Sequence, residues 1–384
     1  PGNRSDSTTS PPGPAPVDWS ARLELERGPG PAAPHGRGVV MEVLAAVYGL
    51  EDAGSEARRL EAAGVDGVFT FEGPHDVFIP LALAAAATDL SVMTNVAIAF
   101  PRNAVHMAHA AWDLHVLSGG RCTLGLGTQV RPHIEGRFGV DFDRPVERMR
   151  DAVEAVRSVF RTWQDGVPLE HRGPFRTHTR MSPMFSPPPH PAGPPRIAVG
   201  ALGPRLTAMA AEVADALAVM PVTSEEFFTE VTLPAVDRGR TDRPSRLGPL
   251  EVLPELIVCC GRDAAEQAVA DAGCRALLGF YVSTPAYRPV FERAGRGDLQ
   301  PRAQQLTREG RWDALGDLID DDLLSTVAVR GTPAQVASLV HRRYAGDCRR
   351  VCIYMPYAMA DDLLVELVDA MHGEAAAAVD AGAR

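Results

Sequence analysis

Three short stretches of this sequence gather residue types that bind or move charge. Residues 119–139, GGRCTLGLGTQVRPHIEGRFG, set a glycine corner, Gly125 and Gly127, before Thr128, Gln129, Arg131, His133 and Glu135 in what reads as one polar loop. A corner without Cβ atoms lets backbone N–H groups approach a ligand; a tight turn with a solvated loop is the plainer account. Residues 72–76, EGPHD, place His75 and Asp76 just after Glu72. An imidazole there would exchange a proton near neutral pH beside two carboxylates, although a lone histidine is more often structural. Residues 200–204, GALGP, leave the backbone open at Gly200 and Gly203, with Pro204 suited to a first helical turn. A helix N-terminus presented this way binds anions; an ordinary strand-to-helix turn has the same composition.

Other patterns carry less. His106, His109 and Asp113 share one helical face at a metal-like spacing, but no zincin-type sequence surrounds them, so a solvated or interface face is the better account and no metal is expected. Gly125-Leu126-Gly127 lacks the third glycine of a dinucleotide fingerprint, because Val130 stands in its place. The chain contains no GxSxG, P-loop or kinase set.

The elements that would position these residues follow from hydrophobic patterning. Residues 1–38 are rich in Pro, Gly and Ser without periodicity and read as a disordered tail. Order is expected from Val39, through one domain spanning 39–384. Residues 39–47 form a nearly continuous apolar run, as in a strand buried on both faces. Asp52 is placed to cap the helix after it. Further strands are expected at 65–71, 91–99, 121–126, 196–199, 214–220, 250–259 and 350–355. Helices alternate with them at 79–88, 104–117, 145–160, 205–213, 224–236, 264–272, 333–344 and from Asp361. Such α/β alternation gives a parallel sheet, and eight units close naturally into a (β/α)8 TIM barrel. Insertions at about 164–195 and 279–322 lengthen it; the first, full of proline, has the character of a lid or binding segment. A barrel collects the ends of its strands at one mouth, which brings together Tyr48 and Gly49, 72–76, 99–103, 127–135 and 200–203.

Composition narrows the partners. Of 384 residues 45% are apolar, enough for a large core, and the formal net charge of −11 argues against nucleic acid. No apolar run is long enough to span a bilayer, and no basic segment followed by an apolar core marks a secretory signal. Six cysteines form no CxxC pair, so reduced, buried thiols and a cytoplasmic setting are expected.

With these residues placed, the chain resembles the luciferase-like (β/α)8 oxidoreductases, which use FMN or the deazaflavin coenzyme F420. The specific pieces are TNVAIAFPRNAVHMAHAAWDLHVLSGGRCTLGLGTQVRPHIEGRFG, RIAVGALGPRLTAMAAEVADA and EGPHDVFIPLALAAAATDL. Together they look most like the actinobacterial F420-dependent branch. The resemblance implies a β-bulge with a non-prolyl cis peptide under the flavin ring at Thr94, Asn95 and Val96. It implies that Gly127, Thr128 and Gln129 line the cofactor tail and that Gly200, Ala201, Leu202 and Gly203 bind its phosphate. It puts His75 in the place of a catalytic histidine, although relatives often read Asp-His where this chain reads His-Asp, so Asp76 or Glu72 would share the role. The glutamate some relatives carry at the end of the first strand is replaced by Tyr48 and Gly49, and the cations that bind a sugar phosphate in one branch are not evident. The implied reaction is hydride transfer between F420 and a small organic substrate (carbonyl, imine or activated alkene), covered by 164–195. The alternatives are an FMN-dependent monooxygenase on the same fold and a non-catalytic flavin-binding protein. The second and third helices resemble the family's homodimer surface.

Overall fold

The computed structural model describes residues 41–344 and 346–382. The expected tail, residues 1–38, lies outside them, as do the first two residues of the expected first strand. In chain order, β1 (Glu42–Ala46), α1 (Ala53–Ala62), β2 (Gly67–Thr70) and α2 (Ile79–Ala87) precede β3 (Ser91–Thr94) and β4 (Ala97–Ile98). Then come α3 (Ala104–Leu117), β5 (Cys122–Gly127), α4 (Arg131–Gly136), α5 (Pro145–Asp165) and a hairpin of β6 (His171–Arg172) and β7 (Thr177–His178). β8 (Arg196–Ala201), α6 (Pro204–Val213) and β9 (Ala216–Val219) follow, then α7 (Glu225–Phe227), which runs through a π-turn into α8 (Leu233–Thr241). The last third holds β10 (Glu251–Cys260), α9 (Ala264–Ser283), α10 (Arg288–Arg293), α11 (Leu299–Arg308), α12 (Asp321–Val327), β11 (Val329–Gly331), α13 (Pro333–Tyr344), β12 (Arg350–Tyr354) and α14 (Asp361–Gly382).

Eight strands close a parallel barrel in the order β1-β2-β3-β5-β8-β9-β10-β12, with β12 pairing back to β1. The strands read as unbroken apolar runs because both faces are covered. In β1, Val43 and Ala45 pack outward under the helices, while Leu44 and Ala46 point into the barrel. Phe69, Met93, Leu253 and Cys352 join them inside, and β8 and β9 add only Ala198, Ala216 and Ala218. On the outside, α5 buries a stripe of Met149, Val153, Val156 and Phe160. It runs one turn further than its apolar pattern suggests, because Trp163 also buries, and it stops at Gly166 in the left-handed region (φ 69°).

Three local expectations are corrected and one is met. Residues 131–136 are a helical turn rather than loop, held by an Arg131–Glu135 pair at 2.6 Å, four residues apart. The expected non-prolyl cis peptide is present, between Asn95 and Val96, and it divides the third strand into two halves that both pair with β5. Asp52 gives no side-chain cap to α1; its backbone carbonyl accepts from Glu56 N and the Ser55 hydroxyl instead. The second insertion begins inside α9, and β11 extends the sheet beside β10. That insertion has its own core, in which Cys274, Leu278 and Phe291 pack with Ile257 and Cys259 of β10. All six cysteines are buried and unpaired, and among the described residues no helix is long and apolar enough to cross a membrane.

Candidate active site

The floor of the barrel mouth is built around the break in the third strand. Thr94 is fully buried, and its hydroxyl accepts from Gly125 N and donates to Gly125 O, both at 2.8 Å. The glycine corner is explained by this packing. A Cβ on Gly125 would meet the Thr94 carbonyl oxygen at 1.9 Å, and one on Gly127 would meet Val96 Cγ2 at 2.3 Å. Both glycines admit the neighbouring strand at close range, and Thr94 serves the bulge from within. Asn95 and Val96 stand on the mouth side of it.

Asn95 leads to a residue that motif reading passed over. Its Nδ2 donates to Glu255 Oε2 at 2.9 Å, across the barrel from β10. Glu255 is 9% exposed, and burial pushes its carboxyl up to about 8, against some relief from the Asn95 amide. It is thus a neutral acid at neutral pH, carrying a proton on the barrel floor. Tyrosines close around it. Tyr48 and Tyr354 pack at 5.5 Å between ring centroids, each also against Phe71. Tyr281 and Tyr287, 5.5 Å apart, come from the second insertion. Burial, with the facing Glu255, raises the hydroxyls of Tyr354 and Tyr287 to about 12. One signal in the sequence marks this acid: Glu255 is the single charge inside the apolar run VLPELIVCC.

The rim carries the expected proton-handling residues, in unequal states. Glu72 is clamped, accepting from Ile98 N at 3.0 Å and pairing with Arg102 at 2.5 Å. Asp76 accepts from Phe78 N at 2.9 Å and reaches Arg102 at 3.3 Å. Both carboxylates fix the loop after β2 to the loop after β4. His75, between them in sequence, is exposed.

The opposite rim is formed by β5 and β8. Gln129 holds a positive φ of 55° and folds its own Oε1 onto Val130 N at 2.9 Å, while Thr128 is half-buried beside it. A left-handed glutamine is uncommon and marks a constrained rim. Gly200 backs onto Val96, where a Cβ would meet Cγ1 at 3.0 Å. Gly203 caps α6 with no side-chain hydrogen bond, and a Cβ there would meet nothing within 4 Å. The first N–H groups of α6 are therefore open to an anion. Ala201 is buried and Leu202 half-buried, packed with the second insertion's core.

The expected cover lies elsewhere. Most of residues 164–195 lie along the outside, with Gln164 bonded to the His190 backbone, His115 Nε2 3.1 Å from Gly193 O, and His171 Nε2 3.0 Å from Asp151 on α5; around Arg176, which donates to Ala99 O at 3.3 Å, they come up to the loop after β4. The second insertion, through Tyr281 and Tyr287, reaches the mouth instead. His109 packs against Trp163 at 4.5 Å, and among the described residues no three His, Cys, Asp or Glu side chains converge as metal ligands. The mouth thus offers a bulged floor with small side chains beside it, an aromatic wall, and a free helix end, which together fit a flat ring system with an anionic tail.

Known proteins share this construction. The family described as luciferase-like monooxygenase matches residues 34–347. An uncharacterised protein of Mycobacterium tuberculosis is 44% identical over 312 residues, covering 81% of this chain and 91% of that one. A putative coenzyme F420-dependent oxidoreductase of the same organism is 29% identical, over 71% of this chain and 81% of its own length. Among solved structures, the coenzyme F420-dependent tetrahydromethanopterin reductase of Methanopyrus kandleri superposes with a TM-score of 0.72, at 16% identity, over 88% of this chain and 99% of that one.

Proposed function

Because this chain belongs to the luciferase-like family of barrel enzymes, we propose that it transfers a hydride between coenzyme F420 and a small organic substrate bearing a carbonyl, imine or activated alkene. The observation that carries this reading is the pairing, in one mouth, of a site shaped for a flat anionic-tailed cofactor with groups that hold protons. The relative described as a putative coenzyme F420-dependent oxidoreductase adds support. Bound there, the deazaflavin would supply a hydride donor or acceptor at carbon, where a flavin has its reactive nitrogen.

The residues divide the remaining work. Asn95 and Val96 bear the ring, and Glu255 positions Asn95 by accepting its amide N–H. The open N–H groups after Gly203 receive the phosphate, with Gly127, Thr128 and Gln129 lining the path to it. A hydride delivered to a C=O, C=N or C=C bond leaves a negative charge that one proton must quench. His75, exposed on the rim, can give that proton to a substrate entering from solvent. Asp76 and Glu72 act through Arg102 to hold its loop in place.

Fluorescence titration of the purified protein with F420 and, separately, with FMN tests the reading. Tight F420 and weak FMN binding is the expected result. The opposite preference would move the protein to FMN-dependent oxygenation, as the family's name suggests. Binding of neither would remove the redox reading altogether.

A further inference from the structure

Outside the barrel mouth lies a second cavity of 330 Å³, between the loop after β4, the first turn of α5 and the β6–β7 hairpin. Arg102, Arg148, Arg176 and His178 line it, together with Phe100 and Phe175, and no carboxylate does. We propose that this cavity is an oxyanion-binding site, taking the phosphate or carboxylate of a ligand.

The acidic partners of these arginines all stand outside the lining. Glu72 and Asp76 hold Arg102, Asp143 holds Arg148, and Asp151 holds Arg176 at 3.1 Å. The cluster is nonetheless short of acceptors. Arg148 Nε and His178 Nε2 are both buried without a hydrogen-bond partner, a state that native interiors seldom leave unexplained. The cations are also held in place before any ligand arrives. The Arg148 guanidinium lies over the rings of Phe175 and Phe100, at 4.6 and 5.7 Å. Arg176 donates to the Ala99 and Arg148 carbonyls, each at 3.3 Å, as well as to Asp151. Ordering these side chains is a cost that binding does not have to meet again.

Two further features favour negative charge. Asn103 and Ala104 bring the N-terminus of α3, fourteen residues long, to the same cavity, and its dipole adds partial positive charge. His178 is held below its ordinary value, first by burial and then by the neighbouring His171 and Arg176, against an opposing pull from Asp151. A bound oxyanion would reverse that balance and draw a proton onto the ring. Arg102 lines the cavity while its guanidinium grips the Glu72 and Asp76 loop of the mouth. Occupancy is therefore coupled by direct contact to the rim of the active site.

The test uses the full-length protein with labelled histidine, the His178 resonance being assigned by His178→Gln, and sodium sulfate and sodium acetate as probes. Millimolar sulfate or acetate should move the His178 signal and raise its pKa. Arg148→Met should weaken that response at least about ten-fold, as expected when a charged donor is lost. Arg308→Met, at an exposed position on α11 in the second insertion, should leave it unchanged. A stronger response to sulfate than to acetate would favour a phosphate ligand; the reverse would favour a carboxylate. Saturating F420 that displaces the probe from His178 would assign the anion to the cofactor's tail, and a probe retained alongside F420 would assign it to the substrate. If Arg148→Met fails to fold, calorimetric titration of sulfate into His178→Phe replaces it, with the same expected weakening. A His178 signal indifferent to both anions, or an undiminished response in Arg148→Met, overturns the proposal.

Discussion

Glu255 gives the sharpest test of the floor of the mouth. Its carboxyl is raised from 4.5 to about 8 by burial. In the unfolded chain the proton leaves near pH 4.5; in the native barrel it stays until about pH 8. Stability is therefore untouched below the lower value. It falls by about 1.4 kcal/mol per pH unit between the two and reaches its full loss above the upper one. Near pH 7 this one side chain costs the fold roughly 3 kcal/mol, and above pH 8 roughly 5 kcal/mol. Glu255→Gln removes the titration and keeps an amide oxygen for Asn95 Nδ2. Urea unfolding of both proteins near pH 5, pH 7 and pH 8.5 measures the difference. The variant should match the wild type to within about 1 kcal/mol at the lowest pH and exceed it by roughly 3 and then 5 kcal/mol as pH rises. A gap that stays constant across these pH values would mean that Glu255 does not carry a buried proton, and the description of the floor would fail with it.

Other substitutions probe the remaining parts. His75→Asn should lower kcat for substrate reduction by on the order of a hundred-fold while the F420 Kd stays unchanged; unaltered turnover would remove His75 from the mechanism. Gly125→Ala forces a methyl to within 1.9 Å of the Thr94 carbonyl oxygen, a backbone atom that cannot swing away. It should destabilise the barrel by about 1–3 kcal/mol and weaken F420 binding, read by thermal melting and fluorescence titration. A homodimer through α2 and α3 is also expected, since Ile79, Leu83, Val116 and Leu117 are all exposed there. Light scattering should give the mass of two chains for the wild type and of one for Leu83→Asp; a monomer-sized wild type would refute it.

The barrel was legible because its signals are local and repeated. Buried parallel strands read as apolar runs, helices as stripes, and α3, α13 and the start of α14 fall where sequence pattern puts them. The misses have local causes too. Thr128, Gln129, Arg131, His133 and Glu135 are polar throughout, so nothing in their hydrophobicity distinguishes a solvated loop from a single helical turn. That turn is decided by an Arg131–Glu135 pair and by the contact of Ile134 with the core. The path of 164–195 is set by His171 on Asp151 and His115 on Gly193, contacts between segments 20 and 78 residues apart.

The loops of the candidate site were legible and the residues on its strands were hidden, for one physical reason. Motif reading looks for polar residues clustered in sequence, which find each other in loops. A barrel assembles its floor from single inward residues on separate strands, so the residues that meet there are distant in sequence. Asn95 and Glu255 are 160 residues apart, and each looks isolated among apolar neighbours. The rim cation Arg102, in the loop after β4, ties Glu72 and Asp76 to the second cavity. In such a fold the informative polar residue is the one that interrupts a buried strand. Placing it there costs stability, as the pH dependence of Glu255→Gln should show, and in this barrel that cost is borne at the place where a cofactor ring would rest.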